Sequence, residues 1–268
     1  MTQHYFDEKF STKGPVNYER YFVPVIGKPL AIDLVDKAGL QSGNSVLDVA
    51  CGTGIVARLA SQKIGKSGFI AGLDPNPGML AVARSLKLET VAEWYEANAE
   101  AMPLADNTFD FVFCQMGLQF MEDKVIALKE MNRVLNSEGI LYLNLPGPIA
   151  GLFNSLALAM KKHIGSKAEG FVRHVFSLFD ENDIEQLFKN AGFKNINISV
   201  NTKTLELPGA ADFMWQYIYS TPLAAVTADA GKESLDNLEK EVTEKWQDYR
   251  KNGSIIYDQP MVSIVAKK

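Results

Sequence analysis

Cysteine is scarce in this chain: 268 residues hold only Cys51 and Cys114. Two cysteines build no disulfide framework, and their spacing fits no zinc site. Both lie in apolar strand or turn contexts, which reads as buried free thiols in a reducing compartment. No group of side chains marks a metal site. Histidine is nearly as rare, with three residues at His4, His163 and His174. Dense positive charge is missing too. The formal net charge is −5, and adjacent basic residues come as pairs such as Lys161-Lys162 and Lys267-Lys268. Nucleic-acid binding needs patches that neutralise phosphates, so no such partner is expected. No apolar run reaches the roughly 18 residues of a membrane span. The stretch 141–160 comes nearest and is broken by Asn144, Pro146, Pro148 and Asn154. The start of the chain has no charged segment leading into an apolar one, so no signal peptide is read. Repeats and low-complexity segments are absent. A globular, cytoplasmic protein is the expectation, and the 47% hydrophobic content agrees.

What is present alternates. Short apolar strands are predicted near 45–49, 69–73, 93–96, 109–114 and 140–145, with helices near 55–64, 77–86 and 122–135. Val125, Leu128, Met131, Val134 and Leu135 fall on one face of the last helix. Strands alternating with helices imply an α/β fold with a doubly wound, mostly parallel sheet. Ahead of it, residues 16–40 carry a helical pattern interrupted by Pro24 and Pro29, and residues 1–44 read as an N-terminal helical arm. The core is expected over 45–207, with a helical insertion at about 149–176. Asp180 is a candidate helix cap and Gly192 a candidate stop for a helix over 180–191. Residues 194–207 alternate as a half-buried strand does. Residues 208–253 read as a helical cap, and 254–268 as a final strand.

The most informative segment is Val46-Leu47-Asp48-Val49-Ala50-Cys51-Gly52-Thr53-Gly54. A strand, a glycine turn and a helix make a place where ligand can approach backbone closely. Asp48 sits just ahead of that turn. Its charge would repel a pyrophosphate and suits a ligand with a cationic end. About 20 residues further on, Asp74 closes the second strand, where an acid can accept both hydroxyls of a ribose.

The segment resembles motif I of the class I S-adenosylmethionine (SAM) methyltransferases, with Ala50 where many relatives have glycine. The resemblance covers about residues 44–145 and more weakly extends to 200. It implies a seven-stranded Rossmann-like sheet with an antiparallel last strand, SAM as cofactor, and a small-molecule methyl acceptor. Gly52 and Gly54 would meet the methionine end of SAM. Asp74 would take the ribose, with Pro75 and Met79 near the adenine. The stretch Asn98-Ala99-Glu100-Ala101-Met102-Pro103-Leu104 resembles the adenine-contacting loop of small-molecule methyltransferases, with Asn98 where they carry aspartate. An amide oxygen still accepts from an amino group. Gln115 and Met116, after the fourth strand, would reach the amino-acid part. The motifs of DNA-base or glutamine methylation, such as Asn-Pro-Pro-Tyr, are absent.

Other residues carry open readings. His163 and His174 are weak candidates for a general base, against a structural or surface role. Tyr5, Tyr18 and Tyr21 are candidates to close over the cofactor, against simple packing of the arm. Phe213, Trp215, Tyr217 and Tyr219 crowd one cap helix, which favours core packing. The added elements are rich in Phe, Tyr, Leu and Met, so an apolar or aromatic acceptor is expected. Two alternatives stand beside methyl transfer. Gly52-Thr53-Gly54-Ile55-Val56-Ala57 also matches Gly-x-Gly-x-x-Ala of NAD-dependent oxidoreductases, and the motifs would equally serve a non-catalytic SAM-binding protein.

Overall fold

A computed structural model describes residues 14–268. His4 and Tyr5 therefore lie outside the described residues. The chain forms two compact units. The sheet unit holds 27–147, 178–201 and 260–268, and the helical unit holds 14–26, 148–177 and 202–259 among the described residues.

The strands are β1 (Ser45–Val49), β2 (Phe69–Asp74), β3 (Val91–Glu96), β4 (Phe109–Gln115), β5 (Leu135–Pro146), β6 (Lys194–Leu207), β7 (Arg250–Lys251) and β8 (Ser254–Lys267). Their order is β3-β2-β1-β4-β5-β8-β6, with the two-residue β7 paired to β8 alone. The first five strands pair in parallel. β8 runs antiparallel to β5. This is the expected doubly wound sheet, with β7 as a small addition. Strand order reverses between β1 and β4, and ligands of such sheets bind beyond the carboxyl ends of the strands at that switch.

The helices are α1 (Gly14–Asn17), α2 (Lys28–Asp36), α3 (Ile55–Ile64), α4 (Pro77–Ser85), α5 (Lys124–Val134), α6 (Gly151–His163), α7 (Ser166–Val175), α8 (Glu181–Asn190), α9 (Ala210–Ser220), α10 (Leu223–Thr227) and α11 (Lys232–Lys245). The prolines of the arm do not break it. Wide π-type turns over Tyr18–Gly27 hold Pro24, and Pro29 falls in the first turn of α2, where a missing N–H is harmless. Residues 27–44, expected in an N-terminal arm, belong to the sheet unit. The reason is the apolar face of α2, where Leu30, Ala31, Leu34 and Val35 are buried. Asp180 caps α8 by accepting from Asn182 and Asp183 N–H, as its sequence position predicts. β5 begins at Leu135 instead of near 140, because Leu135 pairs with Phe109 before an irregularity shifts the register to Phe111–Ile140.

One face of the sheet carries Leu47, Val112, Leu141 and Leu143, packed with Leu128, Met131 and Val134 of α5 and Phe188 of α8. The helical unit has its own aromatic core. Phe153 lies 5.0 Å from Phe176, 5.3 Å from Tyr217 and 5.6 Å from Tyr257, ring centre to ring centre. The Trp246 indole donates to the carbonyl of Leu152. Phe153 is thus a core residue of its unit, 2% exposed, and Tyr219 stacks on Trp215. Among the described residues no helix is long and apolar enough to cross a membrane.

Gly72 and Trp94 are register partners on β2 and β3, and a Cβ at Gly72 would overlap the indole. Gly72→Ala is therefore expected to cost about 1–3 kcal/mol in urea unfolding. The cost should shrink in a Trp94→Leu background, with a coupling of about 1 kcal/mol or more. Independent, additive effects would show that the indole is not what excludes the methyl group.

Candidate functional site

The turns at the carboxyl ends of β1 and β2 are wired together by backbone donors and two buried carboxylates. Asp74, 8% exposed, accepts from Gly52 N–H through one oxygen and from Asn76 N–H through the other, both at 2.9 Å. One side chain thereby joins the turn after β1 to the turn after β2. Asn76 then caps α4, accepting from Gly78 and Met79 N–H. Burial raises the carboxyl pKa of Asp74, and the two backbone donors oppose that rise.

Asp48 is buried deeper, at 1% exposure, and accepts from Ala57 N–H in the first turn of α3 at 3.0 Å. Desolvation pushes its pKa up to about 7, with the nearby charge of Asp74 adding to the rise and the Ala57 bond opposing it. The expected ligand-facing acid is, in this structure, also the clamp between β1 and α3.

Backbone strain gathers here as well. Ala50 has φ 54° and Met116 φ 49°, left-handed values that L side chains adopt at a cost of roughly 1–3 kcal/mol. These are the residues that follow β1 and β4. A glycine at the Ala50 position would adopt this left-handed turn without that cost. Gly52 and Gly54 are left-handed too, with φ 54° and 80°. A Cβ at Gly54 would lie 2.8 Å from the Trp94 ring and 3.4 Å from Ala83. The missing side chain of Gly54 therefore faces the indole and α4. Gly117 fits tightly for a similar reason, since a Cβ there would meet Ala50 at 2.8 Å and the Cys114 sulfur at 3.0 Å.

A cavity of about 690 Å³ opens beside these turns. Ala50, Pro75, Asn98, Ala99, Glu100 and Gly117 are among its lining residues. Its volume lies within the range of small-molecule sites. The wall carrying Asn98 to Glu100 is braced from behind. Arg133 on α5 donates to the carbonyls of Leu104 at 2.7 Å and Met102 at 3.1 Å, while gripping Glu130 through two bonds. Glu130 accepts in turn from Met102 N–H. Glu100 accepts from Glu122 N–H at 2.9 Å. Sequence reading missed the Arg133–Glu130 brace. Its only trace was an arginine three residues after a glutamate on an otherwise amphipathic helix.

Residues 47–143 match the family model described as a methyltransferase domain. The ubiquinone/menaquinone biosynthesis C-methyltransferase UbiE of Cronobacter sakazakii is 33% identical over 180 residues, which are 61% of this chain and 71% of that protein. Demethylmenaquinone methyltransferase of Staphylococcus aureus is 29% identical over 174 residues, covering 60% of this chain and 72% of that protein. The chain belongs to the class I SAM-dependent methyltransferases, of the UbiE-like type. Among solved structures, phosphoethanolamine N-methyltransferase 2 of Haemonchus contortus, in complex with S-adenosyl-L-methionine, shares the fold at a TM-score of 0.59 and 19% identity, over 99% of this chain and 59% of that one.

The protein is accordingly a SAM-dependent methyltransferase acting on a small molecule. In this methyltransferase the thiols are chemically quiet. Cys51 and Cys114 are both buried and free, and desolvation raises their pKa values, that of Cys114 to about 12. His163 and His174 lie in the helical unit. His163 shares a carboxylate oxygen of Glu241 with Lys162, at 2.8 and 2.6 Å, and His174 is exposed on α7. The Tyr21 ring lies under the Arg20 guanidinium at 5.3 Å.

The burial of Asp48 has a consequence for pH. Its folded pKa stands above the unfolded value, so the folded methyltransferase holds a proton that the unfolded chain loses near pH 4. The stability contribution of this group is present below that pH and is lost as pH rises towards 7. Asp48→Asn keeps an oxygen for Ala57 N–H and carries no charge. The variant should match the parent near pH 3 and exceed it at pH 8 by about 4 kcal/mol without ligand. Chemical denaturation at both pH values checks this, and a gap independent of pH would exclude it.

Proposed function

We propose that this methyltransferase transfers the methyl group to an aromatic, hydroquinone-type acceptor. The similarity to UbiE, over 71% of that protein's length, carries the reading. The abundance of Phe, Tyr, Leu and Met in the elements outside the core supports an apolar or aromatic acceptor. Two buried free thiols support a reducing, cytoplasmic setting.

The site residues support a definite division of labour toward the cofactor. Each Asp74 oxygen uses one lone pair on a backbone donor and keeps capacity for one ribose hydroxyl. Asn98 at the cavity wall offers an amide oxygen to the adenine amino group, with Ala99 and Glu100 beside it, Pro75 in the turn after β2 and Met79 in the first turn of α4. Ala50, Gly52 and Gly54 form the turn at the amino-acid end, with Gln115 and Met116 contributing from β4. Asp48 lies behind that turn, and a cationic ligand would hold it ionised.

When bound, SAM supplies a methyl group on a sulfonium, which is displaced in line by the acceptor nucleophile and leaves as a neutral thioether. The chain's own task is to hold, orient and exclude water. His163 and His174 remain candidates for a base where the acceptor must lose a proton. The relatives are methyltransferases, which favours this reading over an oxidoreductase or a non-catalytic SAM-binding protein.

Label transfer from methyl-tritiated SAM to a matched set of phenols, hydroquinones, amines and RNA tests the reading. Hydroquinones should be methylated and RNA should not. Robust methylation of RNA, or of amines alone, would overturn it. In the same assay series, Asp74→Ala should weaken SAM binding tens-fold or more, since two charge-assisted hydrogen bonds are lost at roughly 1.5–3 kcal/mol each. Calorimetry with unchanged affinity in a folded variant would remove Asp74 from the site.

A further inference from the structure

A polar row crosses the sheet near the carboxyl ends of β4 and β5 and through the interior of β8. Gln115 pairs in register with Asn144, and Asn144 with Ser263, so all three side chains share one face. The row beneath is apolar. Phe113, Tyr142 and Val265 occupy it, and the Phe113 and Tyr142 rings stack at 5.6 Å. Asn144 is the one amide in the otherwise apolar run 140–145.

Two acceptor atoms in this row are unused. The side-chain oxygens of Gln115 and Asn144 are buried and have no hydrogen-bond partner among the described residues. A buried acceptor left unmade is costly, and such atoms are ordinarily satisfied. The orientation of Gln115 is fixed, because its amide nitrogen donates to the Gly27 carbonyl at 3.0 Å. That bond leaves its oxygen as the outstanding acceptor. The main chain of Asn144 is fixed too, its carbonyl accepting from Met116 N–H at 2.9 Å. Asn144 is 4% exposed, while its row neighbours Gln115 and Ser263 are only partly buried. Both lie beyond the switch in strand order, where ligands of this fold bind. Two outstanding amide oxygens match an acceptor that carries a hydroxyl donor.

We propose that the side-chain oxygens of Asn144 and Gln115 form the specificity contact of the methyl-acceptor subsite, receiving an O–H of the acceptor ring. The assignment rests on the hydroquinone reading above. It makes Asn144 a residue that selects acceptors with a free hydroxyl over their ethers. A site built to hydrogen-bond a hydroxyl rejects the analogue lacking it, because its buried polar groups are then left unpaired.

The test uses the full chain saturated with S-adenosylhomocysteine, under argon, and two probes: 1,4-dihydroxynaphthalene and its dimethyl ether. Calorimetry should show the parent binding the diol at least about tenfold more tightly than the ether. Asn144→Leu should erase that preference while SAM affinity stays within about twofold. Asn144→Asp, which keeps the acceptor oxygens, should retain the preference. Should the leucine variant fail to fold, Asn144→Ala gives the same readout without a branched side chain. A diol preference that survives removal of the amide overturns the assignment and leaves the hydroquinone reading standing. A loss of SAM affinity equal to the loss of diol affinity also overturns it, and reassigns the pair to the cofactor's ammonium group. A parent that binds SAM and neither naphthalene probe refutes the hydroquinone reading and this contact together.

Discussion

One carboxylate fixes the relation between the two turns on which the site depends. Asp74 sits at the end of β2 and reaches back to Gly52 N–H while holding Asn76 N–H on its own side. Neither turn has regular secondary structure of its own, so each would otherwise place its backbone loosely. The bond to Gly52 sets where the β1 turn stops, and the bond to Asn76 sets where α4 starts. Everything beyond those strands inherits the spacing, including the cavity wall at Pro75 and the approach to Asn98. The same carboxylate keeps lone pairs in hand, so bracing and binding need not compete.

The second constraint is conformational. The chain leaves β1 and β4 through left-handed residues, Ala50 and Met116, that are not glycine. Such turns persist only where surroundings over-determine them. Here the surroundings are explicit: Gly117 packs against Ala50, Met116 N–H is tied to Asn144, and Cys51 N–H is tied to Leu73. Local strain at the strand ends is carried by a sheet whose central strands are buried on both faces.

Much of this was legible in the residues. Alternation of apolar strands with amphipathic helices gave the doubly wound sheet, and Asp180 gave a helix start that the structure keeps. The glycine turn and Asp74 were found by their spacing. What escaped reading was tertiary in origin. Nothing local marks Gly72 as the seat of an indole from the next strand. Nothing local says that Gly54 lacks a side chain on account of Trp94 and Ala83. Arg133 reads as a surface helix residue until the loop from Met102 to Asp106 is folded against it. β5 could not be placed at Leu135 because its early pairing with Phe109 depends on a register irregularity. Only packing reveals that α2 belongs with the sheet.

The position of Trp94 has an optical consequence. The chain has three tryptophans, and the other two, Trp215 and Trp246, belong to the helical unit. Trp94 alone lies in the sheet unit, its ring against the left-handed residue that opens α3 and against Gly72 of β2. With Trp215 and Trp246 replaced by phenylalanine, a single emitter would sit behind the glycine turn. Its emission wavelength and lifetime would then record the tightening or loosening of that turn directly, with no dye and no coupled enzyme.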